Sequence, residues 1–541
     1  MSNAPEKKGV SAVDFFCIGF GAIVGVGWAV SINGWMASCG GPVPAAVGYL
    51  VVLLMMVPIG LCYAELVPML PVAGGGMAFA FKAFNDKVAL ISGWASLGGM
   101  IAIIPWEAIQ ITDVLGYLIP GLKKMKLYSV MGSDIYLTVI IIGVVFSLLL
   151  FALNMRGLAA AAFVQKILCF VLVGCALIGA IAALIYGFGH EGASNLHSMI
   201  DGVKGGLYSA SHPGIYSGNE DATRELFSGL YERAKDVGAI ASTVTPDEFI
   251  QSKVDGLRTV SHHSFLGGMF AIVVQAAYFL AGFETIPQGV EDAGGDIKTV
   301  GKTVVLSVTL ACIFYAFLLF SFGFGYQWEK FIHEPEMMRP AASSMLRIIY
   351  EGTGGNILYW LLTIGAIAGL FTTWNGFFTA SANLMMGMGR GKLIPAFFAK
   401  QNKNGVAVNG QKACLLLSVI GPFLGANMID TITCFSALGF VISWGLTAWS
   451  LVRLRMTHPD MERPYKIPGG MAMGLWASIV TTVVFILSFI PKSPFFAGKT
   501  AIIMFVGWMM IGILFSWLSE HQRTKLSEAE LEAGVFGSKG A

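Results

Sequence analysis

Gly282-Phe283-Glu284-Thr285-Ile286-Pro287-Gln288-Gly289-Val290-Glu291-Asp292 follows an apolar run that starts near residue 266 and otherwise has the make-up of a membrane-spanning helix. This stretch breaks that helix in mid-membrane. Backbone freed from its ladder inside hydrocarbon is tolerated only where protein buries it or a cavity meets it, so the break itself points to a site. Glu284, an ionisable residue within the break, points the same way.

The rest of the chain sets this break in a membrane. Of 541 residues, 55% are hydrophobic and only 12% charged, a balance foreign to soluble globular domains. A span needs about 20 apolar residues to cross roughly 30 Å of hydrocarbon, and about twelve segments qualify. They are 14–38, 42–66, 84–118, 134–154, 158–187, 266–292, 301–326, 355–387, 411–427, 431–452, 471–490 and 500–519. The expected fold is therefore an all-α polytopic membrane protein.

The formal net charge of +2 comes with no basic face or aromatic array that would read a nucleic acid. Its distribution is more informative. Loops on the side of the N-terminus carry Arg390, Lys392, Lys400 and Lys403, then Arg453, Arg455, Arg463 and Lys466. That excess places both termini in the cytoplasm, and the membrane is expected to be the cytoplasmic one. Lys123, Lys124 and Lys126, on the other side, oppose the rule locally.

All eight cysteines lie in or beside apolar spans, without disulfide or metal-ligand spacing. The 190–263 insertion carries five of the eight histidines, His190, His197, His212, His262 and His263, scattered without ligand spacing. A solvated loop is the plain reading, with a short amphipathic helix over 220–235. The first span, lacking a small-residue cleavage site, reads as an uncleaved helix. The spans hold no set of nucleophile, base and orienter, and Gly391-Lys392 runs into Leu393 rather than a P-loop hydroxyl. Neither an enzyme nor an ATP-driven machine is expected, and no cofactor or metal is implied.

The spans divide into two groups of five plus two. The boundaries are a tail at 1–13, a first repeat at 14–187, the outer insertion at 188–265, a second repeat at 266–452, two further spans with their preceding loop at 453–519, and a tail at 520–541, where Ser527, Glu528, Glu530 and Glu532 mark a short helix. The first and sixth spans are the glycine-interrupted ones, and broken segments at corresponding places in two halves point to a transporter with inverted repeats and a midplane site. Five spans per repeat would invert the second copy.

In the first span, Gly19-Phe20-Gly21-Ala22-Ile23-Val24-Gly25-Val26-Gly27 places four glycines in nine residues, each costing a helix centre about 1 kcal/mol relative to alanine. Unwinding near Ile23 to Gly25 would free the amides of Gly25, Val26 and Gly27 for a carboxylate. In the sixth span, Gly282 allows a kink and Pro287 suits a restarting first turn. The carbonyls of Tyr278, Phe279 and Ala281 end the preceding half-helix and would attract an ammonium group. Together the two breaks suit a zwitterion.

These residues carry a resemblance. The glycine-rich first span, Tyr63-Ala64-Glu65-Leu66 with Pro71 and Gly74-Gly75-Gly76, Asn154 with Arg156-Gly157, Phe279 to Glu284 with Glu291-Asp292, Met388-Gly389-Arg390-Gly391-Lys392-Leu393-Ile394-Pro395, and Pro459-Asp460 with Arg463-Pro464-Tyr465-Lys466-Ile467-Pro468-Gly469 occur in order. The chain resembles the amino acid, polyamine and organocation (APC) permease superfamily over nearly its whole length, the 190–263 insertion and tails apart.

The resemblance implies a twelve-helix, five-plus-five inverted-repeat transporter of amino acids or related amines, working by alternating access and driven by protons or by exchange. The backbone of Ile23, Gly25, Val26 and Gly27 would hold the carboxylate, with Tyr278 as an aromatic gate near Gly282. Ser96, Met100, Phe377 and Ser436 would shape a side-chain pocket.

Glu284 matches a glutamate linked in some relatives to proton sensing; a desolvated carboxyl favours its neutral form, and the bland alternative is a structural acid. Glu107 is a second acid within a span, with Asp113 further out; if it faces the pocket it favours a cationic or amine substrate, and otherwise it pairs with another helix or lines the outer vestibule. Where some proton-coupled relatives carry a lysine in the fifth span, this chain has Leu172, and Lys166 is expected to snorkel. Thr372 and Thr373, with first-span carbonyls near Gly21 and Val24, mark a sodium site as the alternative. Arg390, Lys392, Arg463 and Lys466 are expected to serve orientation and inner-gate ion pairs, with Glu65, Glu291 and Asp292 as partners. The rival of another class is a membrane sensor that binds amino acids without moving them. The sequence leaves oligomeric state open.

Overall fold

The computed structural model describes residues 9–119, 121–130, 133–190, 192–193, 195–196, 231, 244–250, 265–328, 340–425, 428–491, 493 and 495–537. Ten helices among them are long and apolar enough to cross a membrane. The sixth and ninth segments fall short because the sixth is broken and the ninth, Val408–Ile420, continues only as the 3-10 turn Gly421–Phe423. Several of the expected spans run longer. The second is Pro42–Met69, the eighth Gly355–Arg390 and the tenth Ile429–Thr457.

Three pairs of spans lie closest along one another. The second span lies along the seventh, Ile297–Gly325, while the third, Asp86–Leu118, packs on the tenth and the fifth, Leu158–Gly189, on the eighth. Moving each span five places along maps the first pair onto itself and exchanges the other two. A short helix precedes the third span, Gly76–Ala83, and another precedes the eighth, Ala341–Ile349, so even these elements correspond.

Small residues set the close crossings. A Cβ on Gly301 would stand 2.6 Å from the Ala64 carbonyl oxygen, and one on Gly439 would stand 2.5 Å from that of Ala95. Burial then separates the centre from the rim. The most apolar stretches of the first, third and tenth spans are 78% buried, and those of the last two, Gly470–Leu487 and Lys499–Arg523, only 22%. Their outer faces, including Ile479, Ile486, Ile503 and Trp517, meet lipid.

At the ends of the bundle, ion pairs join spans that are distant in sequence. Buried Glu65 takes Arg455 Nη2 at 2.5 Å and Arg463 Nε at 3.4 Å, and accepts the Ile467 amide. Arg390 Nη1 reaches Glu291 Oε1 at 2.8 Å, and the same carboxylate accepts the Ala73 amide. Arg455 is a partner that the sequence did not suggest. Lys166 reaches Asp14 at the start of the first span and pairs with it at 2.7 Å.

On the other face, Lys126–Val130 and Ser133–Tyr136 form an antiparallel hairpin, so the fourth span starts only at Leu137. Lys126 pairs with Asp134 across it and holds that carboxyl below the usual carboxylate range. The tail helix Glu528–Phe536 is capped by Ser527 and Glu530 and buries Val535 and Phe536. The helix expected over 220–235 and His197, His212, His262 and His263 lie outside the described residues, Tyr231 excepted.

Candidate functional site

The first span unwinds where its glycines predict. Helix Ala12–Val24 ends at Gly25, whose φ of +35° favours glycine, and helix resumes at Gly27–Val30. None of the hydrogen bonds found there uses the amides of Gly25, Val26 or Gly27. These three N–H groups sit at the start of a half-helix, where an anion is favoured.

The sixth span stops at Phe279 and restarts at Thr285–Gln288. Gly282, at φ +143°, lies against the first break: a Cβ there would stand 2.6 Å from the Ile23 amide nitrogen. The two breaks thus touch through bare backbone. Glu284 ties the turn to itself by accepting the Gly282 amide at 2.9 Å, and Thr285 Oγ1 donates to the Gly282 carbonyl at 2.5 Å.

A cavity opens beside the two breaks. Its lining includes Ile23, Gly25, Val26 and Gly27 from the first span, Tyr278, Phe279 and Ala281 from the sixth, and Phe377 and Thr373 from the eighth. The third span contributes Ile103, Trp106 and Glu107, one helical face at positions i, i+3 and i+4. Glu107 is 1% exposed, and its Oε2 has no hydrogen-bond partner. Tyr315 closes another side, donating its hydroxyl to the Ile23 carbonyl at 2.9 Å.

Of the remaining expected residues, Ser96 and Met100 lie two turns and one turn back along the third span and outside this lining. Ser436 Oγ donates to the Gly99 carbonyl at 2.6 Å and joins the third and tenth spans there. Glu284 also lies outside the lining. Its second oxygen, Oε1, makes no hydrogen bond of ordinary length; the Trp444 indole lies beside it, and Tyr63 is within electrostatic reach.

Beside the first break, Thr372 Oγ1 is 2.8 Å from the Gly21 carbonyl and 2.7 Å from that of Gly369, while Thr373 Oγ1 is 3.2 Å from that of Ala22. Oxygens from two spans thus converge, with Ala22 rather than Val24 joining Gly21. Gln165 Nε2 donates to the Thr372 carbonyl at 2.9 Å, and Asn375 Nδ2 to Gln165 Oε1 at 2.9 Å. Leu172 packs against this group beside Gly369. A second cavity toward the N-terminal face is lined by Thr285, Gln288, Asn375, Thr379 and Asn383, with Phe15 and Ile18 of the first span.

Ile103, Trp106 and Tyr315 escaped the sequence reading. The i, i+3, i+4 spacing around Glu107 offered a signal for the first two, while nothing distinguishes Tyr315 from other aromatics in an apolar helix.

Residues 10–514 match the family model described as amino acid permease. The chain belongs to the amino acid permease family. It is 20% identical to the branched-chain amino acid permease BcaP of Bacillus subtilis (strain 168), over 48% of this chain and 52% of that protein. It is 26% identical to a probable polyamine transporter of Arabidopsis thaliana, over 33% and 34% of the two chains. With the aspartate-proton symporter of Bacillus subtilis (strain 168) it shares 30% identity over 24% and 23%. The chain spans about half the length of the first of these relatives and less of the others. Within this permease, the family match covers both breaks and every residue of the cavity.

Proposed function

We propose that this permease is a secondary transporter that moves amino acids or related amines across the cytoplasmic membrane by alternating access, with both termini in the cytoplasm. The observation that carries the reading is the contact between the breaks at Gly25 and Gly282 beside one buried cavity. Free amides of Gly25, Val26 and Gly27 suit a carboxylate, and the Ala281 carbonyl at the end of the sixth half-helix suits an amine. The second cavity, where Gln288, Asn375 and Asn383 stand among apolar residues, lies between the site and the N-terminal face. Glu284, buried within the break, supports proton coupling or exchange as the driving mode.

A sodium-coupled mode draws on one specific observation, the convergence of Thr372 and Thr373 hydroxyls with the Gly21, Ala22 and Gly369 carbonyls. Oxygen-only sets of this kind suit a hard cation. Proteoliposomes carrying the purified protein, given labelled amino acids under imposed proton or sodium gradients and then unlabelled counter-substrate, test the whole reading. Saturable accumulation and counterflow are expected. Binding without accumulation under either gradient or counterflow would make the protein a sensor.

A further inference from the structure

The acid that faces the cavity is Glu107, not Glu284. A zwitterion bound at the two breaks is self-neutral, its carboxylate on the amides of Gly25 to Gly27 and its α-amine on carbonyls. It leaves Glu107 unanswered. Among the described residues the lining contains no lysine, arginine or histidine, and the Oε2 of a 1% exposed carboxyl finds no partner there. Burying an unpaired carboxylate is costly unless a cation or hydrogen-bond donors meet it. The missing partner is therefore sought in the ligand.

The surroundings of Glu107 match one kind of group. Trp106 and Tyr278 have ring centroids 5.8 Å apart, and Tyr278 meets Phe279 edge-on at 5.2 Å. Phe279 and Tyr315 both pack on Trp35, at 4.8 and 5.2 Å. Rings of this kind attract a desolvated cation through their negative faces, and a carboxylate among them adds the charge that fixes its place. Ammonium and guanidinium groups fit such a box, whereas a branched aliphatic side chain would leave the carboxylate bare.

Resting on the transport reading above, we propose that this cavity takes a cationic amino acid, with Glu107 as counter-charge to the side-chain ammonium or guanidinium and the Gly25–Gly27 amides as the carboxylate site.

Three probes separate the parts: lysine, norleucine, which lacks the ε-amine, and cadaverine, which lacks the carboxylate. Each is titrated against the purified full chain by thermal stabilisation and as competitor of lysine uptake in proteoliposomes. Lysine is expected to bind at least about tenfold tighter than either analogue, since an unmet buried charge rejects the ligand that lacks its partner. Glu107→Gln, close to isosteric, is expected to abolish the preference for lysine over norleucine while still binding norleucine; Glu107→Asp is expected to keep part of it. Norleucine binding as tightly as lysine, or a preference that survives Glu107→Gln, overturns the proposal while leaving amino acid transport standing. Cadaverine equal to lysine overturns its amino acid form. If no amino acid binds or is taken up, the transport reading itself fails, and this inference with it.

Discussion

Lys166 Nζ stands 2.7 Å from Asp14 Oδ1, tying the fifth span to the first turn of the first. One turn deeper, Gln165 Nε2 of the fifth span donates to the Cys17 carbonyl at 3.4 Å, and the Cys17 and Cys169 thiols lie within electrostatic reach of one another. The N-terminal half of the first span is thereby held on the fifth at two levels. Under the alternating-access reading proposed above, movement of this half-helix away from the fifth span is what would open the inner side.

Copper-phenanthroline oxidation tests that movement directly. The two thiols would lose their hydrogens to the oxidant and join as a disulfide across the helices. Uptake is expected to fall on oxidation and recover with dithiothreitol, whereas Cys17→Ser and Cys169→Ser proteins should be indifferent. Full uptake by protein shown to be cross-linked would mean that the half-helix does not move.

Gly25 is bounded by sterics and by conformation. Its φ is +35°, and an added Cβ would meet Thr373 Oγ1 at 2.5 Å. Gly25→Ala should therefore strain the break by about 1–2 kcal/mol, and Gly25→Leu should also fill the amide nest. Uptake is expected to be lost in both, with membrane insertion and a monodisperse detergent profile retained. Normal uptake by Gly25→Leu would remove the carboxylate site from this position.

For Glu284, a glutamine separates two roles. Glu284→Gln keeps an acceptor for the Gly282 amide, so the turn that depends on this 2.9 Å bond persists. A glutamine cannot load a proton. Counterflow is expected to continue while accumulation driven by a pH gradient disappears and the pH profile of uptake flattens. A profile superimposable on that of the parent protein would leave Glu284 with the turn alone.

Glu65 tests what holds the end of the bundle on the N-terminal side. It is fully buried and meets Arg455, Arg463 and the Ile467 amide. Glu65→Ala leaves two guanidinium groups facing one another, which should cost about 3 kcal/mol. Thermal unfolding in detergent is expected at a clearly lower midpoint. Double replacement, Glu65→Ala with Arg455→Met, should recover part of the loss, because the charge left behind is then smaller.

Local signals in the sequence account for much of the site. Gly25 and Gly282 are legible because a glycine cluster or a Gly-x-x-x-x-Pro run within an apolar helix disrupts it whatever its neighbours. Tyr278, Phe279 and Phe377 followed from their distance to those breaks and from the resemblance. Ser436 could not be placed in the same way, since a hydroxyl on an apolar helix serves equally to line a cavity or, as with the Gly99 carbonyl, to join two helices.

The sequence by itself determined that this chain crosses the membrane many times and where its first and sixth helices break. Span length, glycine content and proline position are properties of neighbouring residues, and the bilayer turns them into structure. Only the tertiary structure decided which acid meets the cavity. A helix that is apolar all round carries no stripe to show which side faces inward, so the rotation that turns Glu107 to the cavity and keeps Glu284 behind the break comes from packing against the other spans. The same holds for the approach of Thr372 and Thr373 to the Gly21 and Ala22 carbonyls, which joins residues about 350 positions apart through the contact of the first and eighth spans.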